Sequence, residues 1–177
     1  LLWGALLFAL TGCAGGPEPF GGEELLVMVY STEHEPVIGA ELRSGDRLLG
    51  RTDSFGRLLA RGINRGQRRY LLWAPGFAPK PFSFEFQEST QILYVSLEPL
   101  GLSLGRMLRR GESGALEKLL SLMEEAQASR EEQTLVRALL LATRGEVGWR
   151  KEIDTLAGEI GTLRSETLAR AVGEILQ

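Results

Sequence analysis

The stretch Pro36-Val37-Ile38-Gly39-Ala40-Glu41-Leu42, followed after nine residues by Thr52-Asp53-Ser54-Phe55-Gly56-Arg57-Leu58, decides how the middle of this chain folds. In each, a glycine stands between a turn and an aliphatic run. Gly39 and Gly56 mark places where a strand turns sharply or another backbone approaches closely, because glycine tolerates both. Asp53 is placed to cap its turn by accepting the amide two residues on. On either side lie runs of strand length: Leu25–Tyr30, Ala40–Arg43, Arg47–Arg51, Leu58–Ala60, Arg69–Trp73, Phe82–Phe86 and Ile92–Leu97. Between them stand Ser44-Gly45-Asp46, Asp53 to Gly56, Asn64-Arg65-Gly66 and Pro75-Gly76, which supply turn geometry. Phe82, Phe84 and Phe86 alternate with Ser83 and Glu85, a period of two that puts three rings on one strand face. Seven short strands at this spacing predict a β-sandwich.

Four landmarks in order carry a family resemblance over residues 24–98. Pro36 to Leu42 resembles the proline-led, Gly-Ala opening of carboxypeptidase-regulatory-like domains. Thr52 to Leu58 is similar to their T-D-x-x-G hairpin. Arg61-Gly62-Ile63 and Gly66 to Tyr70 resemble the turn into the next strand, and Ala74-Pro75-Gly76-Phe77 their A-x-G-[YF] signature. The resemblance implies a seven-stranded transthyretin-like (prealbumin-like) sandwich serving as an accessory, binding or spacer module, without a peptidase active site. Starch-binding-like modules are neighbours by fold, which implies carbohydrate as one class of ligand.

After Glu98-Pro99 the strand texture ends. Leu104–Arg110 reads as a short helical lead. Ser113 is placed to cap a helix to about Ala128, with Leu116, Leu119, Leu120 and Met123 at spacings of three and four. Ser129 caps the next helix in this reading. Glu131 and Glu132 lie in its first turn, where the helix dipole favours anions, and Gly145 stops it. Val147–Ile160, with Trp149, Ile153 and Leu156, and Thr162–Leu176, with Leu168, Val172 and Ile175, read as third and fourth helices. A small bundle or a helical-hairpin array is expected, with no dependable internal repeat. The fold class is therefore α+β as two segregated domains, a sandwich at 23–98 and an all-α region at 99–177.

The front of the chain reads differently. Residues 1–10, LLWGALLFAL, are uncharged and apolar, and Thr11-Gly12-Cys13-Ala14 follows. An apolar core closing on small residues is the layout of a secretory signal peptide, too short for a spanning helix. Leu10-Thr11-Gly12-Cys13 resembles the bacterial lipobox, in which the thiol takes a diacylglyceryl group and cleavage falls before the cysteine. The resemblance implies a signal peptide at 1–12, lipidation (palmitate-type acyl chains) at Cys13, and an extracytoplasmic protein held on the cell membrane or outer membrane. Ala14 after the cysteine resembles the outer-membrane-sorting pattern. Absence of Met and of a basic n-region before Leu1 leads us to expect further residues upstream. Residues 13–22 then form a glycine- and proline-rich tether.

Composition narrows function. The 177 residues are 44% hydrophobic and 24% charged, with net charge -3, one cysteine and one histidine. Such a balance gives no reason to expect nucleic acid. A disulfide within the chain and a Cys/His zinc site are both excluded. Asp53 is read as structural rather than as a calcium ligand, since hard cations need several carboxylates and the aspartates are only Asp46, Asp53 and Asp154. Arginines crowd the stretch from Arg43 to Lys80, opposed within it only by Asp46 and Asp53; they are read as solubilising charge, with anionic lipid, an acidic glycan or an acidic partner as the sharper alternative. His34 reads as an exposed loop residue, and Glu124-Glu125 and Glu131-Glu132 as solvated helix faces. No G-x-S-x-G elbow, phosphate loop or dinucleotide fingerprint is present. The expected function is non-catalytic, without cofactor or metal: a lipid-anchored structural or protein-interaction module with an envelope protein as partner. The alternative is a glycan- or peptidoglycan-binding lipoprotein with Trp73, Tyr70 and Phe77 as ligand contacts, which requires Trp73 at the surface.

Overall fold

The computed structural model describes residues 23–63, 68–85 and 90–145. They form two sheets and three helices, an α+β fold. The strands are β1 (Glu23–Ser31), β2 (Glu41–Ser44), β3 (Arg47–Arg51), β4 (Arg57–Ile63), β5 (Arg68–Trp73), β6 (Lys80–Phe84) and β7 (Thr90–Leu97). The helices are α1 (Leu100–Arg110), α2 (Ser113–Glu125) and α3 (Arg130–Thr143). One sheet has the order β4-β1-β7 and the other β3-β2-β5-β6. All pairings are antiparallel except β1 with β7, which run parallel from Glu24↔Thr90 to Ser31↔Leu97.

Alternation explains the core between the sheets. Leu25, Val27 and Val29 of β1 are fully buried, and they meet Leu58, Ala60, Val95 and Leu97 of their own sheet and Leu42, Tyr70 and Leu72 of the other. Phe82 and Phe84 pack on the same cluster, and Phe82 stacks on Tyr70 with centroids 5.6 Å apart. Phe86, Asn64-Arg65-Gly66, Cys13 with its flanking segments, and the third and fourth expected helices lie outside the described residues.

Strand β5 is buried on both faces, as its unbroken Tyr-Leu-Leu-Trp run requires. Tyr70 and Leu72 face the other sheet, while Leu71 and Trp73 join a second cluster with Leu100, Leu104, Leu116, Leu119, Met123, Leu135 and Val136 of the helices. The helical layer therefore packs on the outer face of the β5 sheet. Helix α1 begins at Leu100, four residues before the expected start, and Gly111 ends it in the left-handed conformation at φ 65. Ser113 is not a cap. It is the first residue of α2, whose N-cap is Glu112 with no side-chain hydrogen bond. Ser129 caps α3 as expected, accepting from the Glu132 amide at 3.2 Å.

Glu132 corrects the sequence reading. It is only 5% exposed, not part of a solvated face. Its Oε2 accepts from the Ser129 amide at 3.2 Å, closing a capping box, and its Oε1 accepts from the Gly76 amide at 2.7 Å in the turn after β5. The Gly76 carbonyl in turn accepts from the Leu100 amide at 2.8 Å. One peptide turn thus holds the first turns of both α1 and α3. Ala74-Pro75-Gly76-Phe77 is the socket for the helices, with Gly76 at φ +82 making the turn.

The opening landmarks are also joined. The buried Thr52 hydroxyl accepts from the Ala40 amide at 2.8 Å and donates to the Val37 carbonyl at 2.6 Å. Thr52→Val keeps the shape and removes both bonds, leaving two backbone groups of this turn unpaired. We expect a loss of about 2 kcal/mol, read by urea denaturation at constant slope.

Candidate interaction surface

The outward residues of the β4-β1-β7 sheet follow from register. Leu26 of β1 lies between Leu59 of β4 and Ile92 of β7, and Met28 lies between Arg57 and Tyr94. Residues side by side in a sheet share a face, and those two apart along a strand share it too. Leu59, Leu26, Ile92, Met28 and Tyr94 therefore form two adjacent apolar rows. Leu59 is 43%, Ile92 57% and Tyr94 70% exposed. Single exposed apolar residues are ordinary, but here the set is contiguous across three strands. Its rim is charged. Glu24 pairs with Arg61 at 3.0 Å, and Arg57 pairs with Asp53 at 2.9 Å while lying 4.6 Å from the centroid of the Phe55 ring.

Strand β7 also ends this sheet. Among the described residues it pairs with β1 alone. Edge strands are usually guarded by a charge, a proline or a bulge. Thr-Gln-Ile-Leu-Tyr-Val-Ser-Leu contains no charged residue and no proline, and its register with β1 runs without a shift. Near its end, Lys80 Nζ donates to the Ser96 carbonyl at 2.8 Å and the Thr32 amide to the Leu97 carbonyl at 3.1 Å. Lys80 thus covers the edge at Ser96, while the uncharged stretch before it, beside an exposed apolar face, suits addition of another strand.

The residues expected to contact a glycan lie elsewhere. Tyr70 is buried between the sheets and Trp73 beneath the helices, so neither offers the open ring face that sugar stacking needs. Phe77 is half-buried against the sandwich core, bridged to Pro99. The three do not form a platform. His34 stands exposed in the β1–β2 turn at φ 66, its amide donating to the Ser31 carbonyl at 3.1 Å. No group of three metal-ligating side chains occurs among the described residues, and no helix among them is long and apolar enough to cross a membrane.

The basic stretch resolves largely into ion pairs. Arg57 and Arg61 are paired as above, and Arg69 reaches Glu125 of α2 at 3.1 Å. Glu41 takes two arginines, Arg43 at 2.9 Å and Arg51 at 2.7 Å, each also donating through Nε. It lies beside Trp73 in the register of β2 with β5 and is 7% exposed. Burial disfavours its charge, but the hydrogen bonds and charges of Arg51 and Arg43 overcome this and hold its pKa below the ordinary glutamate value. A carboxylate with a lowered folded pKa contributes stability that is present above its unfolded pKa and lost as pH falls through the folded one. Denaturation midpoints followed from pH 7 to pH 3 are expected to fall, and the fall is expected to be shallower in Glu41→Gln. Asp53 is lowered in the same direction, first by the hydrogen bond from the Arg57 amide, with the Phe55 amide and the Arg57 side chain adding to it.

The apolar rows do not stand out in the sequence alone. Leu25 to Tyr30 reads as one apolar strand, but only its alternate residues are core. The surplus on Leu26 and Met28, matched by Ile92 and Tyr94, was the available signal.

Comparison with known proteins gives no family. No family model and no curated protein matches the chain. Among solved structures it is similar to the Caf1A usher C-terminal domain, at 9% identity over 43% of this chain and 97% of that one, with a TM-score of 0.34. A streptococcal ancillary pilin matches at 14% identity over 45% of this chain and 33% of that one, with a TM-score of 0.32. The 5-hydroxyisourate hydrolase of Klebsiella pneumoniae matches at 15% identity over 44% and 90%, with a TM-score of 0.32. At such values these likenesses bear on neither activity nor partner.

Proposed function

We propose that the chain is a lipid-anchored, non-catalytic protein-interaction module of the bacterial envelope, and that its partner adds an extended strand to the open edge of β7. The observation that carries the docking is the uncharged, proline-free β7 edge continuous with the apolar rows of Leu59, Leu26, Ile92, Met28 and Tyr94. An added strand satisfies the edge amides and carbonyls, and its alternate side chains extend those rows. The segments at 23–98 and 99–177 are read as a prealbumin-like sandwich and a helical region. Leu10-Thr11-Gly12-Cys13 supports the anchor, and residues 13–22 the tether. Two or three acyl chains give stable attachment, at about 0.8 kcal/mol per buried methylene.

One measurement tests the anchor and two test the docking. Intact mass spectrometry of the native protein is expected to give Cys13 onward plus two or three acyl chains. An unmodified thiol with residues 1–12 retained overturns the anchor. Photo-crosslinking from position 94 of the full chain in bacterial cells is expected to trap one other protein through one extended segment. The Ile92→Lys, Tyr94→Lys double variant, changed only at exposed positions, is expected to weaken binding of that protein at least about a hundredfold without unfolding the chain. Crosslinks only to a second copy, or undiminished binding by the double variant, overturn the docking mode.

A further inference from the structure

Apart from the β7 edge, a cleft opens where the ends of β6 and β7 meet the first two helices. Its volume is about 440 Å³, within the range of small-ligand sites. Helix spacing explains its walls. Ser103, Arg106 and Met107 lie three and four residues apart on α1, and Ala115, Lys118, Leu119 and Leu122 recur in the same way on α2. The sandwich contributes Ala78 to Lys80 and the end of β7. Apolar lining comes from Ala78, Met107, Leu119 and Leu122.

The charges in this cleft do not cancel. Lys80, Arg106 and Lys118 line it against a single carboxylate, Glu98. Glu98 is taken up by Arg106 in a two-pronged pair at 2.5 and 2.7 Å. Lys80 spends one N–H on the Ser96 carbonyl and has no carboxylate partner among the described residues. Lys118 has no ion-pair partner among them either. Ser103 is 2% exposed and lines the cleft. A hydroxyl and two cations without a carboxylate partner among the described residues, beside an apolar lining, are the complement of an acid with a hydrocarbon body.

We infer that this cleft binds a small organic anion, a monocarboxylate carrying an aliphatic body. A water in the liquid occupies about 30 Å³, so the cleft has room for a ligand on the order of ten to fifteen heavy atoms. The carboxylate meets Lys80, Lys118 and the Ser103 hydroxyl, and the body lies along Met107, Leu119 and Leu122. Ile92 and Tyr94 are not among its walls, and only Ser96, near the end of β7, belongs to both the cleft and that strand.

Titration of the full chain with octanoate, followed by methyl chemical shifts in NMR, tests this. Saturable one-to-one binding that shifts Ala78, Ala115 and Leu119 is expected. Octan-1-ol, with the same body and no charge, is expected to bind about tenfold more weakly, as is octanoate to the Lys80→Gln, Lys118→Gln double variant. Inorganic phosphate, charge without a body, is expected to produce no saturable shift of these methyls. Ser103→Ala is expected to weaken octanoate severalfold. The inference is overturned if octanoate does not saturate, or if octan-1-ol binds as tightly. It also fails if the double lysine variant, whose exposed changes leave the melting temperature intact, keeps wild-type affinity.

Discussion

Glu132→Ala is expected to lower the stability of the fold by about 3 kcal/mol, although the residue looks like one acid among many on a charged helix. The carboxylate holds three groups, the amides of Gly76 and Ser129 and the Ser129 hydroxyl. Hydrogen bonds to a charged acceptor are worth about 1.5–3 kcal/mol and a lost helix cap about 1 kcal/mol. Alanine removes both and leaves the Gly76 amide without its acceptor. The cost should appear first as faster hydrogen exchange at Leu135, Val136 and Leu139, because α3 is what the contact seats against the sheet. Glu132→Gln separates the two parts. It keeps an oxygen for Gly76 but turns an amide donor toward the Ser129 N–H, so about half the loss is expected. An unchanged denaturation midpoint for Glu132→Ala contradicts the arrangement.

Gly56→Ala is expected to cost about 3 kcal/mol or more, and Gly56→Asn no less. Gly56 has φ +71, and a Cβ there falls 2.4 Å from the Val29 carbonyl oxygen and 3.1 Å from Pro36 Cβ. The carbonyl belongs to the central strand β1, and the Val29 amide donates to the Gly56 carbonyl at 2.7 Å. Backbone on both sides leaves no flexible side chain to yield. Asparagine tolerates the left-handed conformation but carries the same Cβ, so it offers no relief. Gly39 supplies the control. Its φ is +72, yet nothing lies within 4 Å of a Cβ there. Gly39→Asn is therefore expected to cost well under about 1 kcal/mol. Thermal melts of the three variants separate close approach from backbone conformation.

Those glycines show what could be read in advance. Both read as sharp turns or close approach, and the structure divides the reasons, conformation alone at Gly39 and conformation with crowding at Gly56. Asp53 reads as a turn cap, and it accepts from the Phe55 amide at 2.8 Å. Strand texture is legible because apolar runs of strand length are set off by turn residues, and because Phe82 and Phe84 alternate with Ser83 in β6. Other features depend on partners distant in sequence. Trp73 reads as a sugar contact, which requires it at the surface, but the helices cover that face and bury it. Glu132 sits in Ser129-Arg130-Glu131-Glu132, whose capping-box spacing was available and pointed to an N-terminal role. Its reach to Gly76 was not available, since 56 residues separate the two. The exposed rows likewise needed the register of three strands before Leu59, Leu26 and Ile92 became neighbours.

Parallel pairing of β1 with β7 has a mechanical consequence. Tension entering at Glu23 and leaving at Leu97 pulls the two strands along their length in opposite directions. The ladder between Glu24↔Thr90 and Ser31↔Leu97 is then loaded in shear, with its hydrogen bonds sharing the force together. A hairpin pulled from its open end would instead unzip one bond at a time. A module held at one end and pulled at the other thus meets force through its most resistant geometry, and the apolar rows beside that ladder stay assembled under load.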